Sequence, residues 1–505
     1  MNYTRLINFR KISLGLAFPF LLFSCQSQEK AETAEPGVEI YNSSAAGDKI
    51  AKGELFDSIT EFGIEILPEQ TFQKIEGFGG AFTEASSHLL QKMTTEKRTE
   101  VLNAYFAKDA AAYSLCRTHI NSCDFSLNSY AYAEVPDDTL LESFSIAADR
   151  DDIIPTIKEA QAISENGFKI LASPWTAPPW MKDNQAWFGG KLLAKYRSTW
   201  ARYFSKYAQA YAAEGIPIWA FTVENEPLGN DSNWESMHFT PEETADFVAN
   251  YLGPQLEEDG LDIKILAYDQ NRGEELEEWA DVLLQDSAAA PFLDGMAVHW
   301  YTSTYDWFPQ SLQHTHKLAP GKMIIQTEGC VDAEVPHWQD DAWYWSKEAT
   351  DWGYDWAKPE NKYLHTPYVP TYRYARDIIG SLNNWVAGWI DWNMVLDKQG
   401  GPNHAKNWCV APVLVDTASD EVYYTPLYYI LRQFSQFIQP EAQRIGFNCS
   451  DEALMLTAVQ NPDSSIVVYL LNTGERAKTN TVKVGERENN TQVPAQALQN
   501  IVLKP

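Results

Sequence analysis

Ile218-Trp219-Ala220-Phe221-Thr222-Val223-Glu224-Asn225-Glu226-Pro227 runs six apolar or β-favouring residues into two carboxylates separated by an amide, and then a proline. A short apolar run closed by a turn signal reads as a strand buried on both faces. Carboxylates crowded at the end of such a strand are costly to desolvate without partners. The end is therefore either a functional rim or a solvated acidic loop, and the neighbouring sequence has to decide between them.

Outward from this stretch, strand-like runs alternate with helical ones. Eight runs read as strands, at 75–80, 113–119, 169–173, 218–223, 263–268, 295–300, 323–327 and 386–391. Helical patterns fall at 94–108, 151–165, 191–214, 241–259, 274–285 and 372–384, and Asn166-Gly167, Glu214-Gly215 and Asp259-Gly260 are glycine stops before the next strand. Eight parallel strands with intervening helices predict an α/β fold, a closed (β/α)8 TIM barrel over residues 73–430. Outside it the rhythm changes. Residues 38–72 and the tail 431–505 carry short extended pieces, the latter at 444–447, 453–459, 465–471, 479–484 and 497–503 with Asn-Pro-Asp and Asn-Thr-Gly turns. These predict a flanking antiparallel β-sandwich built from the C-terminal tail and completed by the N-terminal strands.

The chain carries 69 acidic against 39 basic residues, a net charge of −30. Phosphate backbones repel such a surface, so nucleic acid is excluded as a partner class. Residues 1–25 place Arg5, Arg10 and Lys11 before an apolar run at 12–23 that is too short to span a bilayer. Leu22-Phe23-Ser24-Cys25 resembles a bacterial lipobox, and a polar tether follows over 26–37. The expectation is a cell-envelope lipoprotein, at the outer membrane or surface, touching the membrane only through a lipid on Cys25; a periplasmic or secreted form is the alternative. Cys116, Cys123, Cys330, Cys409 and Cys449 show no spacing of a metal clamp or redox motif, and disulfides among them stay open. No His-Glu-x-x-His, phosphate-cradling glycine loop or dinucleotide fingerprint appears, so neither metal nor cofactor is expected.

In a barrel of this kind, function gathers where the strands end. Arg117 and Asp124 follow the second run, Trp175 and Trp180 the third, and Glu224, Asn225 and Glu226 the fourth. His299, Trp300 and Tyr301 close the sixth, Glu328 the seventh, and Asp391, Trp392 and Asn393 the eighth. Acids, amides, one arginine and large aromatics suit a sugar, with its apolar ring faces and hydroxyl edges. Strands four and seven lie across the mouth from each other, so Glu226 and Glu328 can face one another over a bound ring. Two carboxyls in different environments are the equipment for glycoside hydrolysis: one protonates the leaving oxygen while the other, ionised, attacks C1. Such a pair predicts a bell-shaped rate profile on the acidic side of neutral.

Gly77-Phe78-Gly79-Gly80-Ala81-Phe82-Thr83-Glu84, Cys123-Asp124-Phe125-Ser126, Ser173-Pro174-Trp175-Thr176-Ala177-Pro178-Pro179-Trp180, Thr222-Val223-Glu224-Asn225-Glu226-Pro227, His299-Trp300-Tyr301, Glu328-Gly329-Cys330, Gly388-Trp389-Ile390-Asp391-Trp392-Asn393 and Gly400-Gly401-Pro402-Asn403 together resemble glycoside hydrolase family 30. The similar branch is that of the lysosomal glucosylceramidases and the fungal and bacterial β-1,6-glucanases. The resemblance implies Glu226 as acid/base and Glu328 as nucleophile of a retaining mechanism, with Arg117, His299 and Tyr301 supporting the nucleophile. It implies Asn225 on the sugar 2-hydroxyl, Asp124 and Trp175 on the outer hydroxyls, and Trp392 as a further wall. Glu224 it implies to be structural, paired with an arginine.

The N-terminal disulfide cysteines of the mammalian members have no counterpart here. An insertion over 331–372 carries Trp338, Trp343, Trp345, Trp352 and Trp356. Its aromatics are expected to wall distal subsites, Trp338, Trp343 and Trp345 foremost, against the alternative of a cap that merely packs on the barrel. β-1,6-Glucan is the substrate this reading favours. A glucosylceramidase, an exo-β-glucosidase or β-xylosidase, and a catalytically inactive carbohydrate-binding surface protein are the alternatives.

Overall fold

The computed structural model describes residues 37–505 except 59, 230, 333–337, 339 and 348–356. The expected leader, most of the tether and Cys25 lie outside the described residues, as do Trp352 and Trp356. No helix among the described residues is long and apolar enough to cross a membrane.

All eight expected barrel strands are present: Gly77–Phe82, Leu115–Ile120, Lys169–Pro174, Ala220–Thr222, Lys264–Asn271, Gly295–His299, Met323–Glu328 and Val386–Asn393. They close into a barrel in sequence order, each parallel to its neighbours. Leu115, Leu171, Ala220, Leu266, Ala297, Ile325, Ala387 and Ile390 fill the interior, so the barrel is a plugged core rather than a pore. The glycines of the first strand follow from closure: a side chain on Gly79 would meet the Leu115 carbonyl oxygen at 1.9 Å.

The helices form the outer ring, with local departures from the expected bounds. The expected helix at 241–259 is two, Pro241–Phe247 and Gly253–Glu258, joined by a π-turn over Val248–Leu252. Pro254 has no N–H to give and crowds the preceding turn, which breaks regular α geometry there. Glu84–Lys92, Pro309–Leu318 and Pro426–Ser435 are additional helices. The last of these runs across the expected division at 430/431.

The flanking domain is a nine-stranded sheet folded into a sandwich. Its order is Ala51–Gly53, Val38–Ser44, Ala497–Leu503, Ile466–Asn472, Met455–Gln460, Gln443–Cys449, Phe62–Lys74, Lys478–Val484 and Arg487–Val493. N-terminal and C-terminal strands are thus interleaved, as expected. One pairing departs from the antiparallel expectation: Phe62–Lys74 runs parallel to Lys478–Val484. The strand Ile466–Asn472 is buried throughout. Ile466, Val468 and Leu470 point into the sandwich with Ile64, Ile445 and Ile501. Val467, Tyr469 and Leu471 point to the barrel side with Phe434 and Trp389, and the Tyr469 and Phe434 rings stack at 4.4 Å. A strand with two apolar faces buries both only when it lies between two layers.

The described part of the insertion packs through its own aromatics. Trp343 lies in the short helix Asp341–Tyr344 and is buried with Tyr344 among Tyr374, Ala375 and Ile378. This packing is what the alternative of a cap on the barrel expects of Trp343. Trp345 is half-buried, edge-on to Tyr372. Trp338 packs edge-on against Tyr423, beside the cluster that holds Trp175, Trp392 and Cys330.

Candidate active site

Arg117 sits in the second barrel strand and is fully buried. An unpaired guanidinium at that depth would cost several kcal/mol, and this one is paired on every side. Its Nη1 donates to Glu328 Oε2 at 2.5 Å, and its Nη2 donates to both Asn225 Oδ1 and Asp269 Oδ2 at 2.7 Å. Its Nε donates to Ser173 Oγ at 3.1 Å. One side chain thereby ties the ends of strands three, four, five and seven together. The planar face of the same guanidinium lies 4.8 Å from the Trp175 ring and 5.5 Å from the Trp392 ring, which stack on each other at 5.2 Å.

Asp269, at the end of the fifth strand, is the hub that the sequence reading missed. Besides Arg117 it accepts from Thr222 Oγ1 at 2.7 Å, from Thr327 Oγ1 at 2.6 Å and from His299 Nε2 at 3.0 Å. Burial works against its charge, but Arg117 and His299 outweigh it and hold the carboxyl well below the usual range. His299 is the reverse case. Burial disfavours its cation, yet Glu328 and Asp269, with the hydrogen bond to Glu226, lift it to about 9. It is therefore protonated at neutral pH, and both ring nitrogens donate, Nδ1 reaching Glu226 Oε1 at 3.2 Å. The hydrogen bonds of His299 go to Glu226 and Asp269, while its charge, with that of Arg117, draws the Glu328 carboxyl downward.

Glu226 follows its strand with a φ of 48°, unusual for a residue with a side chain. The turn is held by its N–H to the Asp269 carbonyl at 2.9 Å and by Gly229 N–H to its own carbonyl at 2.7 Å. That turn brings its carboxylate to Glu328: the ligand atoms of Glu226, His299 and Glu328 all lie within 4.8 Å of one another. A protonated His299 and an arginine-paired Glu328 make this trio a poor cation site. Tyr301 donates to Glu328 Oε1 at 3.0 Å, so Arg117 and Tyr301 grip both oxygens of Glu328. Burial still pushes Glu328 upward, against the pull of His299 and Arg117, and the Glu226 charge adds to the push.

Across the pocket, Asp124 accepts from Asn407 Nδ2 at 3.1 Å. Burial, reinforced by the Glu328 charge, raises it to about 8. Asn407, from the loop after strand eight, is a second contributor that the motif reading did not single out. Glu224 is not paired with an arginine. It is buried, neither of its oxygens has a hydrogen-bond partner, and burial raises it well above its usual value despite the Lys182 charge. It is held neutral. Of the expected residues, Arg117, Asp124, Trp175, Asn225, Glu226, His299, Tyr301, Glu328 and Trp392 converge at this end of the barrel, with Trp338 at the edge of the same aromatic cluster.

Residues 75–438 match the glycosyl hydrolase family 30 TIM-barrel domain, and residues 441–501 match the family 30 beta sandwich domain. The chain belongs to glycoside hydrolase family 30. This family 30 enzyme is 35% identical to the mouse (Mus musculus) lysosomal acid glucosylceramidase over 419 residues, 81% of this chain and 77% of that one. It is 30% identical to an endo-1,6-beta-D-glucanase of Neurospora crassa over 397 residues, 76% of this chain and 75% of the relative. A solved endo-beta-1,6-glucanase superposes with a TM-score of 0.78 at 28% identity, covering 93% of this chain and all of that one. The family boundary between 438 and 441 falls after the helix Pro426–Ser435, which leaves that helix with the barrel.

Proposed function

We propose that this family 30 glycoside hydrolase cleaves β-glucosidic bonds with retention, with β-1,6-glucan as its substrate. The observation that supports the mechanism is the close approach of Glu226 and Glu328, one carboxylate oxygen of each lying within 4.8 Å of one of the other. Retaining enzymes hold their carboxyls about 5–5.5 Å apart, whereas inverting ones leave about 6.5–9.5 Å for a water. Glu328, aimed by Arg117 and Tyr301, attacks C1 as Glu226 passes its proton to the departing glycosidic oxygen. The C1–O bond breaks and a Glu328–glycosyl ester forms. Glu226, now ionised and hydrogen-bonded by His299, takes a proton from water as that water attacks C1 and releases Glu328. Asn225, fixed by Arg117, presents its remaining hydrogen-bonding capacity to the 2-hydroxyl. Asp124, protonated at neutral pH, is a donor for an outer hydroxyl.

Full-length superposition on an endo-β-1,6-glucanase supports the polysaccharide reading. Glucosylceramide is the second reading, favoured by the greater identity to the mouse glucosylceramidase. Incubation with β-1,6-glucan, β-1,3-glucan and a glucosyl lipid side by side separates them. Oligosaccharide ladders from β-1,6-glucan alone are expected, and ceramide release without glucan cleavage would reverse the assignment. Retained reducing-sugar release in Glu328→Gln would remove the mechanism itself. The lipid anchor at Cys25 is likewise a proposal, supported by the basic-then-apolar order of residues 1–25. Mass spectrometry of the mature N-terminus tests it, an unmodified Cys25 arguing for a soluble exported form.

A further inference from the structure

Cys330 and Cys409 are 79 positions apart in the chain, yet their sulfur atoms lie 3.2 Å from each other. Both side chains are buried, at 2% and 5% exposure. The backbone has brought them together: Val331–Asp332 pairs antiparallel with Cys409–Val410, Val331 opposite Val410 and Asp332 opposite Cys409. Two sulfurs at this separation are inside ordinary van der Waals contact, about 3.6 Å, and about 1.1 Å beyond a disulfide bond of roughly 2.05 Å. The Cys123 sulfur accepts instead from Ser126 Oγ at 3.8 Å, and the Cys449 thiol faces the Asp451 carbonyl at 3.5 Å. Cys116 lies in the large cluster around the barrel, Cys123 in the cluster that also holds Cys330 and Cys409, and Cys449 against the sandwich core.

We propose that Cys330 and Cys409 are a built disulfide site, closed when the protein meets a disulfide oxidant such as oxidised glutathione or an oxidised protein dithiol. One cysteine thiolate attacks the oxidant's S–S bond, forming a mixed disulfide and releasing one oxidant thiol. The second cysteine then attacks the mixed disulfide, forming the Cys330–Cys409 bond and releasing the other. The two cysteines lose two electrons to the oxidant, and their protons leave with its thiols. Because both sulfurs are buried, the exchange takes place during folding or in a local opening of this two-stranded clasp.

The location gives the bond a purpose. Cys330 follows Glu328 by two residues, and its sulfur lies 3.4 Å from the Tyr301 hydroxyl that also holds Glu328. Cys409 follows Asn407, the partner of Asp124, by two residues. The bond therefore clips the loop behind the proposed nucleophile to the loop that positions the far wall of the pocket. It also fastens both ends of the long segment that contains the aromatic insertion. Closing a loop of that length removes much freedom from the unfolded chain, so oxidation should raise the melting temperature. None of this depends on which glucoside is cleaved.

The test uses the full chain, equilibrated in a glutathione redox buffer and compared with the same protein after a phosphine reductant. Unreduced peptide mapping should recover a Cys330–Cys409 cross-linked peptide, two hydrogens lighter than the separate pair. Thiols titrated in denaturant should fall by two, and Tm should be several degrees higher in the oxidised form. Cys409→Ser should show one Tm in both buffers. Recovery of Cys330 and Cys409 as separately alkylated peptides after oxidation would overturn the proposal, as would a wild-type Tm that does not respond to reduction. The wild-type redox comparison stands even if the variant folds poorly.

Discussion

Asp269 and Asp124 are the same side chain, both buried in the same barrel mouth, and they carry opposite charge states. Asp269 receives four donors, two of them cationic, and stays ionised far below the usual range. Asp124 receives one amide from Asn407, and burial lifts it to about 8. Depth of burial is common to both; the partners decide the outcome. The difference divides the pocket into two halves with separate duties. The half built on strands four to seven is a network of fixed charges around Arg117 and His299, suited to moving protons and stabilising charge. The half formed by Asp124, Trp175 and Trp392 is nearly neutral, suited to holding a sugar without competing for the reaction.

The largest expected effect lies in the charged half. Glu328→Gln should lower kcat by on the order of 10⁴-fold or more while leaving the fold intact, measured on an aryl β-glucoside with Tm as control. Next is Asp269→Ala, which strands Arg117 and His299 without their common counter-charge. It should cost about 3–5 kcal/mol in urea unfolding; a loss below about 1 kcal/mol would mean that the network is not held through Asp269.

A third test uses pH. His299 is raised in the folded state, so its stabilisation is complete below about pH 6.5 and disappears as pH climbs through about 9. Asp124 is also raised, so its protonated form favours folding at low pH and that advantage is lost as pH rises through about 8. Asp269 has the opposite sign and would weaken the fold only in strong acid. Unfolding free energy should therefore fall as pH rises from about 4, where Asp124 begins to lose its advantage, and further between about pH 6.5 and 9, by on the order of 3 kcal/mol for His299. His299→Gln should flatten that slope, and an unaltered slope would place the titration elsewhere.

The smallest effect belongs to the neutral half. Asp124→Asn replaces a protonated acid with a near-isostere, so below pH 7 kcat/KM should drop by about tenfold or less. A loss as large as that of Glu328→Gln would erase the distinction between the two halves.

The barrel was legible because eight apolar runs each ended in a turn signal, and the paired acids were legible because they stood at those ends. Asp269 was not. The fifth strand bulges there, with Tyr268 and Asp269 both at positive φ and a register shift between Tyr268 and Gln270. The reading by apolar pattern stopped one residue short. Glu224 and Glu226 looked equivalent in sequence, since residues two apart on an extended strand share a face. The left-handed turn at Glu226 breaks that equivalence, leaving one carboxyl sealed in and the other in the pocket. The strand Arg487–Val493 was missed because its sequence, Arg-Glu-Asn-Asn-Thr-Gln-Val, has little apolar alternation and occupies the sheet edge. The apposition of Cys330 and Cys409 is a purely tertiary fact.

The strand Ile466–Asn472, greasy on both faces, bears on how the protein can be divided. A chain shortened to the barrel at 440 would retain every side chain proposed for catalysis. It would also strip the covering from Phe434 and Trp389 and turn an internal seam into an aggregation-prone flank. For anyone cloning or recombining this enzyme, the β-sandwich is not an accessory to be trimmed. The smallest exchangeable cassette is the pair.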